Sequence, residues 1–311
     1  MKLIIQIPCY NEEKTLPVTL AALPRQVEGF DEVEWLVIDD GSTDKTIDTA
    51  VGNGVDHVVR LPKHQGLAKG FMAGVDACLK FGADVIVNTD ADNQYFAGDI
   101  PALTGPILEG KAQIVIGERP IMKMAQFSFM KKQFQKLGSW VVRQASKTNI
   151  PDATSGFRAM NRDAALQMHV FGEYTYTLET IIQAGQKNLS IIAVPVRVNE
   201  DLRPSKLLKS VFSYISKSII TIIRVFVIYK AFRFFFVIGA TLFTSGVIIG
   251  LRYLYLFYEG QGRGHTQSLI LVSILCGIGF QTILVAFLAD LLAVNRRLLA
   301  EVRYKLRKMD S

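Results

Sequence analysis

Two aspartates one residue apart, Asp90 and Asp92, follow the short β-branched run Ala83-Asp84-Val85-Ile86-Val87, and the amide of Gln94 comes two residues later. Hard oxygen donors in this spacing suit Mg²⁺ or Mn²⁺, ions that keep several waters and bridge to substrate phosphates. Asp90, Asp92 and Gln94 together are therefore a candidate metal site on a diphosphate. The same three residues also fit a solvated surface loop, because a lone D-x-D is common. The run before them reads as a buried strand, and ligands of open α/β sheets bind beyond the carboxyl ends of the strands.

Other strands end in residues able to do similar work. Leu3 to Ile7 is predicted as a strand running into Pro8-Cys9-Tyr10-Asn11-Glu12-Glu13, with Asn11 placed to cap the following helix. Trp35 to Ile38 is predicted as a strand ending in Asp39-Asp40-Gly41-Ser42-Thr43-Asp44. There an acid can accept hydrogen bonds from a base or ribose, or simply complete a turn, and Ser42 or Thr43 can cap the next helix. A third strand, Val55 to Leu61, precedes Lys63-His64-Gln65-Gly66-Leu67-Ala68-Lys69-Gly70, which resembles an anion-binding helix start without the P-loop spacing. Further strands are expected at Gln113–Ile116, just after the loop Asp152–Ala159, and at Ser190–Val198, with helices over 124–148 and Thr177–Gln186. Alternating strands and helices with their loops at one edge predict an α/β domain with a mostly parallel sheet.

Composition changes along the 311-residue chain. Half of its residues are hydrophobic and its net charge is +7, yet the apolar excess lies beyond about residue 210. Lys209, Lys217, Arg224 and Lys230 punctuate an aromatic, amphipathic stretch of the kind that lies in a membrane interface. Phe234–Leu251 and Ser268–Ala289 are uncharged runs long enough to span a bilayer. Arg252 can snorkel at the end of the first run, and Arg263 is the one Lys or Arg in the loop Glu259–Gln267, whereas both outer flanks are cation-rich, which places the large domain and the tail in the cytosol. Lysines and arginines clustered beside apolar runs point to a lipid bilayer as the partner, and not to nucleic acid. Cys9, Cys78 and Cys276 form no C-x-x-C pair and read as reduced. The expected organisation is a catalytic domain over 1–203, amphipathic juxtamembrane helices over 204–232, a two-span hairpin over 233–292 and a basic tail over 293–311.

Five motifs stand in order: Ile7-Pro8-Cys9-Tyr10-Asn11-Glu12, Val37 to Asp44, Thr89 to Gln94, Ser155-Gly156-Phe157-Arg158-Ala159 and Arg203-Pro204-Ser205-Lys206. Together they resemble the family 2 glycosyltransferases that make polyprenyl-phosphate sugars, of the dolichyl-phosphate mannose synthase and undecaprenyl-phosphate glucosyltransferase type. The resemblance covers about residues 1–230 by motif, and the two-span region by layout. It implies a GT-A, Rossmann-like fold followed by interfacial helices and two transmembrane helices. It implies that Pro8, Tyr10, Asn11, Glu12, Asp39 and Asp40, with Asp90, Ala91 and Asp92, hold the nucleotide, and that Asp90, Asp92 and Gln94 bind Mg²⁺ or Mn²⁺. It implies catalytic roles for Asp92 and Arg119. Arg119, Lys131, Lys132, Arg158 and Arg203 would meet the acceptor phosphate, with Asp152 a candidate to orient Arg158 or the acceptor site. Tyr95-Phe96 departs from the family's usual proline pair.

The activity so implied is inverting transfer of a hexose from a nucleotide sugar, UDP-glucose first and GDP-mannose second, to polyprenyl phosphate at the inner membrane. Homo-oligomers are also implied. A processive polysaccharide synthase is the rival within the superfamily, but the chain has no Q-x-x-R-W motif and only two spans. A non-catalytic membrane scaffold is the rival of another class, and the intact Asp90, Asp92 and Gln94 argue against it.

Overall fold

The computed structural model describes residues 1–120, 139–140, 142–143, 146, 148–170, 176–200, 227, 230–260 and 266–310. The chain divides into two units, one of residues 1–222 with 300–311, the other of residues 223–299.

The first unit is built on a seven-stranded sheet: β1 (Lys2–Cys9), β2 (Glu32–Asp39), β3 (His57–Arg60), β4 (Val85–Asn88), β5 (Ile114–Glu118), β6 (Arg158–Asn161) and β7 (Ile191–Pro195). Their spatial order is β3-β2-β1-β4-β6-β5-β7. β1 has Leu3, Ile4, Ile5 and Ile7 all fully buried, the continuous apolar run of a strand covered on both faces. From β1 the chain steps outward through β2 to β3, then returns to lay β4 on the other side of β1. The strand order therefore reverses between β1 and β4, and a crevice opens at their carboxyl ends.

All neighbours are parallel except β6, which runs against both β4 and β5. That reversal has a consequence for the crevice. Arg158, the first residue of β6, is in register with Asn88 at the end of β4 and with Ile116 of β5. The loop leading into β6 is thus delivered to the same edge as the ends of β1, β2 and β4.

Helices α1 (Leu16–Ala22), α2 (Thr46–Gly52), α3 (Leu67–Lys80), α4 (Ile100–Leu108), α5 (Arg162–Gln167) and α6 (Thr177–Gln186) pack on the sheet and around it. α3 buries Ala68, Phe71, Val75, Cys78 and Leu79, and each large apolar side chain so covered is worth about 1.5–3 kcal/mol. Its Gly74 is set by contact: a Cβ there would lie 2.3 Å from Gln6 Oε1 and 2.7 Å from Ile38 Cδ1. Of the helix predicted over 124–148, the described residues 139, 140, 142, 143 and 146 are helical. Asn11 does not cap α1. Its backbone turns left-handed at φ 53°, a region that asparagine tolerates. Its side-chain carbonyl accepts the Thr43 N–H at 2.8 Å, sewing the β1–α1 loop to the β2–α2 loop. Ser42 likewise caps no helix and accepts the Asn11 N–H at 2.9 Å.

The second unit contains α7 (Ala231–Tyr258) and most of α8 (Thr266–Asp310), two helices long and apolar enough to cross a membrane. Of the residues expected as a basic tail, 293–310 are helical and continue α8 without a break.

Candidate active site

The crevice gathers residues from four strand ends. At the end of β2, Asp39 is fully buried. Its Oδ1 accepts the Ser42 N–H at 3.2 Å, while Oδ2 has no hydrogen-bond partner among the described residues and lies 3.9 Å from Arg60 Nε. A buried carboxylate oxygen left in this way is an acceptor awaiting a donor. Next to it in sequence, Asp40 is fully engaged. Its two oxygens take the N–H groups of Gln65 and Gly66 at 2.7 and 2.8 Å, and Oδ2 also meets His64 Nδ1 at 2.9 Å. Asp40, expected at the nucleotide, thus fastens the loop before α3 instead, because neighbouring residues on a strand point to opposite sides. The same loop lays the His64 ring on Tyr10, with centroids 4.0 Å apart. Tyr10 keeps more than a third of its surface open, so this stack offers a flat aromatic wall. Pro8 is half-buried at the end of β1, and the Glu12 carboxylate accepts from Thr15 Oγ1 at 2.6 Å at the start of α1.

Past β4 the chain presents Asp90 and Asp92 with Ala91 buried between them, its carbonyl accepting from Thr19 Oγ1 at 2.9 Å. Asp92 Oδ1 accepts the Gln94 N–H at 3.2 Å, which folds the loop on itself. Burial, and then the neighbouring Asp92, push the Asp90 carboxyl up to about 7, against the pull of Arg119, Arg158 and a hydrogen bond with Tyr95. Two carboxylates repelling each other under partial burial are the arrangement that a divalent cation would relieve. Among the described residues no group of three or more His, Cys, Asp or Glu converges on a metal. A cation here would therefore complete its shell with water, the Gln94 amide or substrate phosphate.

Arg119 comes from the end of β5 and is buried. Its guanidinium forks onto Asp152, Nε to Oδ2 at 2.7 Å and Nη2 to Oδ1 at 3.1 Å, and Nη2 also donates to Thr154 Oγ1 at 2.8 Å. Nη1 is left facing Gln94 Oε1 at 3.5 Å. Burial works against this charge, but Tyr95 and Asp152 more than restore it, and Arg119 stays protonated. Asp152 therefore orients Arg119, and not Arg158.

Arg158, expected at the acceptor phosphate, is enclosed. It is fully buried, donates from Nη1 to Thr180 Oγ1 at 2.5 Å and from Nη2 to the Ser155 carbonyl, and lies over the Tyr176 ring at 5.0 Å. No surface of its guanidinium is left for a lipid phosphate. Its charge acts inward, on Asp90. Lys131, Lys132 and Arg203 lie outside the described residues.

Several residues join the site that were not among its candidates from sequence. Asn88 accepts from Gln6 Nε2 at 2.9 Å and donates to the Gly156 carbonyl and to Tyr176 Oη at 2.8 and 2.9 Å. Tyr95 Oη accepts the Gly156 N–H at 2.9 Å while its ring stacks on Phe157. Gly156 itself has no room for a side chain, since a Cβ would stand 2.9 Å from Asp90 Oδ2. The available signal was Gln6 and Asn88, polar residues set within apolar strand sequence.

A parallel-sheet crevice with an aromatic wall, a buried carboxylate oxygen and a pair of neighbouring aspartates defines a candidate ligand site of the α/β class. Residues 4–168 match the model of Glycosyl transferase family 2. The chain is 30% identical over 218 residues to the undecaprenyl-phosphate mannosyltransferase of Micrococcus luteus, covering 67% of this chain and 88% of that one. It is 27% identical to the polyprenol monophosphomannose synthase of Mycolicibacterium smegmatis, over 63% of this chain and 77% of that one. The fold matches that of glucosyl-3-phosphoglycerate synthase from Mycobacterium tuberculosis, solved with Mn²⁺, UDP and glucosyl-3-phosphoglycerate, with a TM-score of 0.57 at 20% identity over 73% of this chain and 78% of that one. The chain belongs to glycosyl transferase family 2. It is a glycosyltransferase with the GT-A fold, followed by two helices able to span a membrane.

Proposed function

We propose that this enzyme moves a hexose from a nucleotide sugar to a polyprenyl phosphate, with inversion at the anomeric carbon, at a membrane surface. One observation supports this most directly: the crevice at the β1–β4 switch point joins Asp39, whose buried Oδ2 has no hydrogen-bond partner among the described residues, to the half-buried aspartate pair Asp90 and Asp92. The M. luteus and M. smegmatis relatives are by name enzymes of polyprenyl-phosphate mannose chemistry. They put mannose ahead of the glucose favoured from sequence, so GDP-mannose is the first donor and UDP-glucose the second.

The residues divide the work. The Tyr10–His64 stack walls the base and Asp39 Oδ2 accepts one of its N–H groups. Asp90 and Asp92, with Gln94 in reach, would hold Mg²⁺ or Mn²⁺, which would supply charge neutralisation for the leaving diphosphate. Arg119, fixed by Asp152 and Thr154, holds positive charge beside the same loop. A phosphate monoester acceptor, with a second pKa of about 6, is largely ionised at neutral pH. It needs positioning by cations more than a general base. Lys131, Lys132 and Arg203 are proposed for that task. The two apolar helices would anchor the catalytic unit beside its lipid substrate, with that unit and residues 293–311 in the cytosol.

Membranes carrying the enzyme, given polyprenyl phosphate and a panel of radiolabelled sugar nucleotides, should form a labelled lipid with GDP-mannose or UDP-glucose. Asp92→Asn should lower that rate by about 10²–10³ or more, the scale on which lost charge stabilisation acts. No labelled lipid with any donor, or near-normal transfer by Asp92→Asn, would overturn the reading.

A further inference from the structure

The segment just after β7 meets the metal loop in a way that nucleotide binding does not account for. Three successive carbonyls of that loop, those of Asn93, Gln94 and Tyr95, all accept from one residue, Asn199. Its side-chain Nδ2 donates to the Asn93 carbonyl at 2.9 Å and to the Tyr95 carbonyl at 3.2 Å. Its backbone N–H donates to the Gln94 carbonyl at 2.8 Å. The residues before it hold the same loop from its other end. Val198 bridges Tyr95, and the Phe96 N–H donates to the Arg197 carbonyl at 3.3 Å. Arg197 forks onto Asp99 from Nε at 3.0 Å and lies over the Phe96 ring at 3.9 Å.

The chemistry of this clamp is specific to a carboxamide of this length. A primary amide offers two N–H donors from one neutral nitrogen, whereas aspartate, its isostere, offers only acceptors when ionised. Asn93 occupies the left-handed region at φ 56°, and its carbonyl and that of Gln94 take their donors from Asn199, outside the loop. Mg²⁺ tolerates little departure from octahedral geometry at about 2.0–2.1 Å. A loop that brings Asp92 and Gln94 to a cation must therefore be set before the ion arrives.

We propose that Asn199 is the positioning residue of the metal loop: by holding the carbonyls of residues 93–95 it sets cation affinity and donor binding while touching neither. This rests on the reading of Asp90–Gln94 as the cation and diphosphate site.

The test uses the full chain in detergent, with bound Mn²⁺ followed by electron paramagnetic resonance, with and without GDP or UDP. Asn199→Asp keeps shape and backbone N–H but sets a carboxylate against two carbonyls. Asn199→Ser keeps the backbone bond and adds no charge. The Mn²⁺ dissociation constant should rise about 10–100-fold in Asn199→Asp, the range found when partners of metal ligands are lost, and by a smaller factor in Asn199→Ser. The apparent KM for the nucleotide sugar should rise with it. That for polyprenyl phosphate should stay within about twofold, a split that a general distortion would not produce. Unchanged Mn²⁺ affinity in the folded variants, or equal rises in both KM values, would overturn the assignment. If Asn199→Asp does not fold, Asn199→Ser decides on the same criteria. If the parent chain takes up no Mn²⁺ with either nucleotide, the metal-site reading falls and the role of Asn199 with it. Binding by the parent that both variants match removes Asn199 alone.

Discussion

A single oxygen shows what the site expects of its ligand. Asp39 Oδ2 is buried and, among the described residues, without a hydrogen-bond partner, while Oδ1 is satisfied within its own turn. A hydrogen bond to a charged group is worth about 1.5–3 kcal/mol, so Asp39→Ala should weaken nucleoside diphosphate binding about 10- to 100-fold in a fluorescence or calorimetric titration. Asp39, Asp90 and Asp92 could be found from sequence because each stands at the end of an apolar run, where local pattern reports both strand and terminus. Asp40, Asn11 and Arg158 could not be placed in that way. Their partners, Gln65 and Gly66, Thr43, and Thr180, are brought to them by other loops and helices. The same holds for Asp152, which reads as an orienter from sequence but meets Arg119 only once β5 and the β6 loop share an edge.

Among the elements, β1, β2 and β4 were legible as apolar runs, and α6 at its full extent. The reversed direction of β6 was not, since four residues of Arg-Ala-Met-Asn carry no sign of which way they run. The helical pair of the second unit was legible by length and composition, but its seam was not. Gly239 of α7 faces Gly279 of α8, and a Cβ on Gly279 would stand 2.6 Å from the Phe243 nitrogen and 2.9 Å from the Gly239 carbonyl oxygen. Gly246 lies as close to Cys276. Backbone atoms cannot yield as a flexible side chain can, so Gly279→Leu must part the two helices. Overpacking of this kind costs about 1–3 kcal/mol, and thermal unfolding in detergent should show a lower Tm for Gly279→Leu while Gly277→Leu, where a Cβ meets open space, stays near the parent.

At the scale of the whole molecule, the end of α8 is part of the catalytic unit. Arg307 pairs with Asp76 of α3 and donates to the Met168 carbonyl at 2.7 Å, Tyr304 Oη donates to Asp163 at 3.0 Å, and Arg303 meets His169. Burial, with Arg303, Arg307 and Lys187 around it, holds His169 down to about 4 from the usual 6.5. The docked state thus refuses a proton that the undocked state accepts. Docking should be strongest near neutral pH and weaken as the pH falls towards about 4, by the share of the shift that Arg303, Arg307 and burial under α8 supply. Hydrogen exchange of residues 300–310, corrected for intrinsic rates, should report this, and His169→Asn should flatten it. The same contact has a consequence for biosynthesis. Arg307 follows Asp76 by 231 residues, so at about 5–20 residues per second the ribosome delivers it roughly 10–50 s after α3. Both apolar helices are translated in that interval. The face of α3 and α5 that receives Arg303, Tyr304 and Arg307 therefore waits for them while both helices are made, and the nascent enzyme passes that time with its catalytic unit one element short.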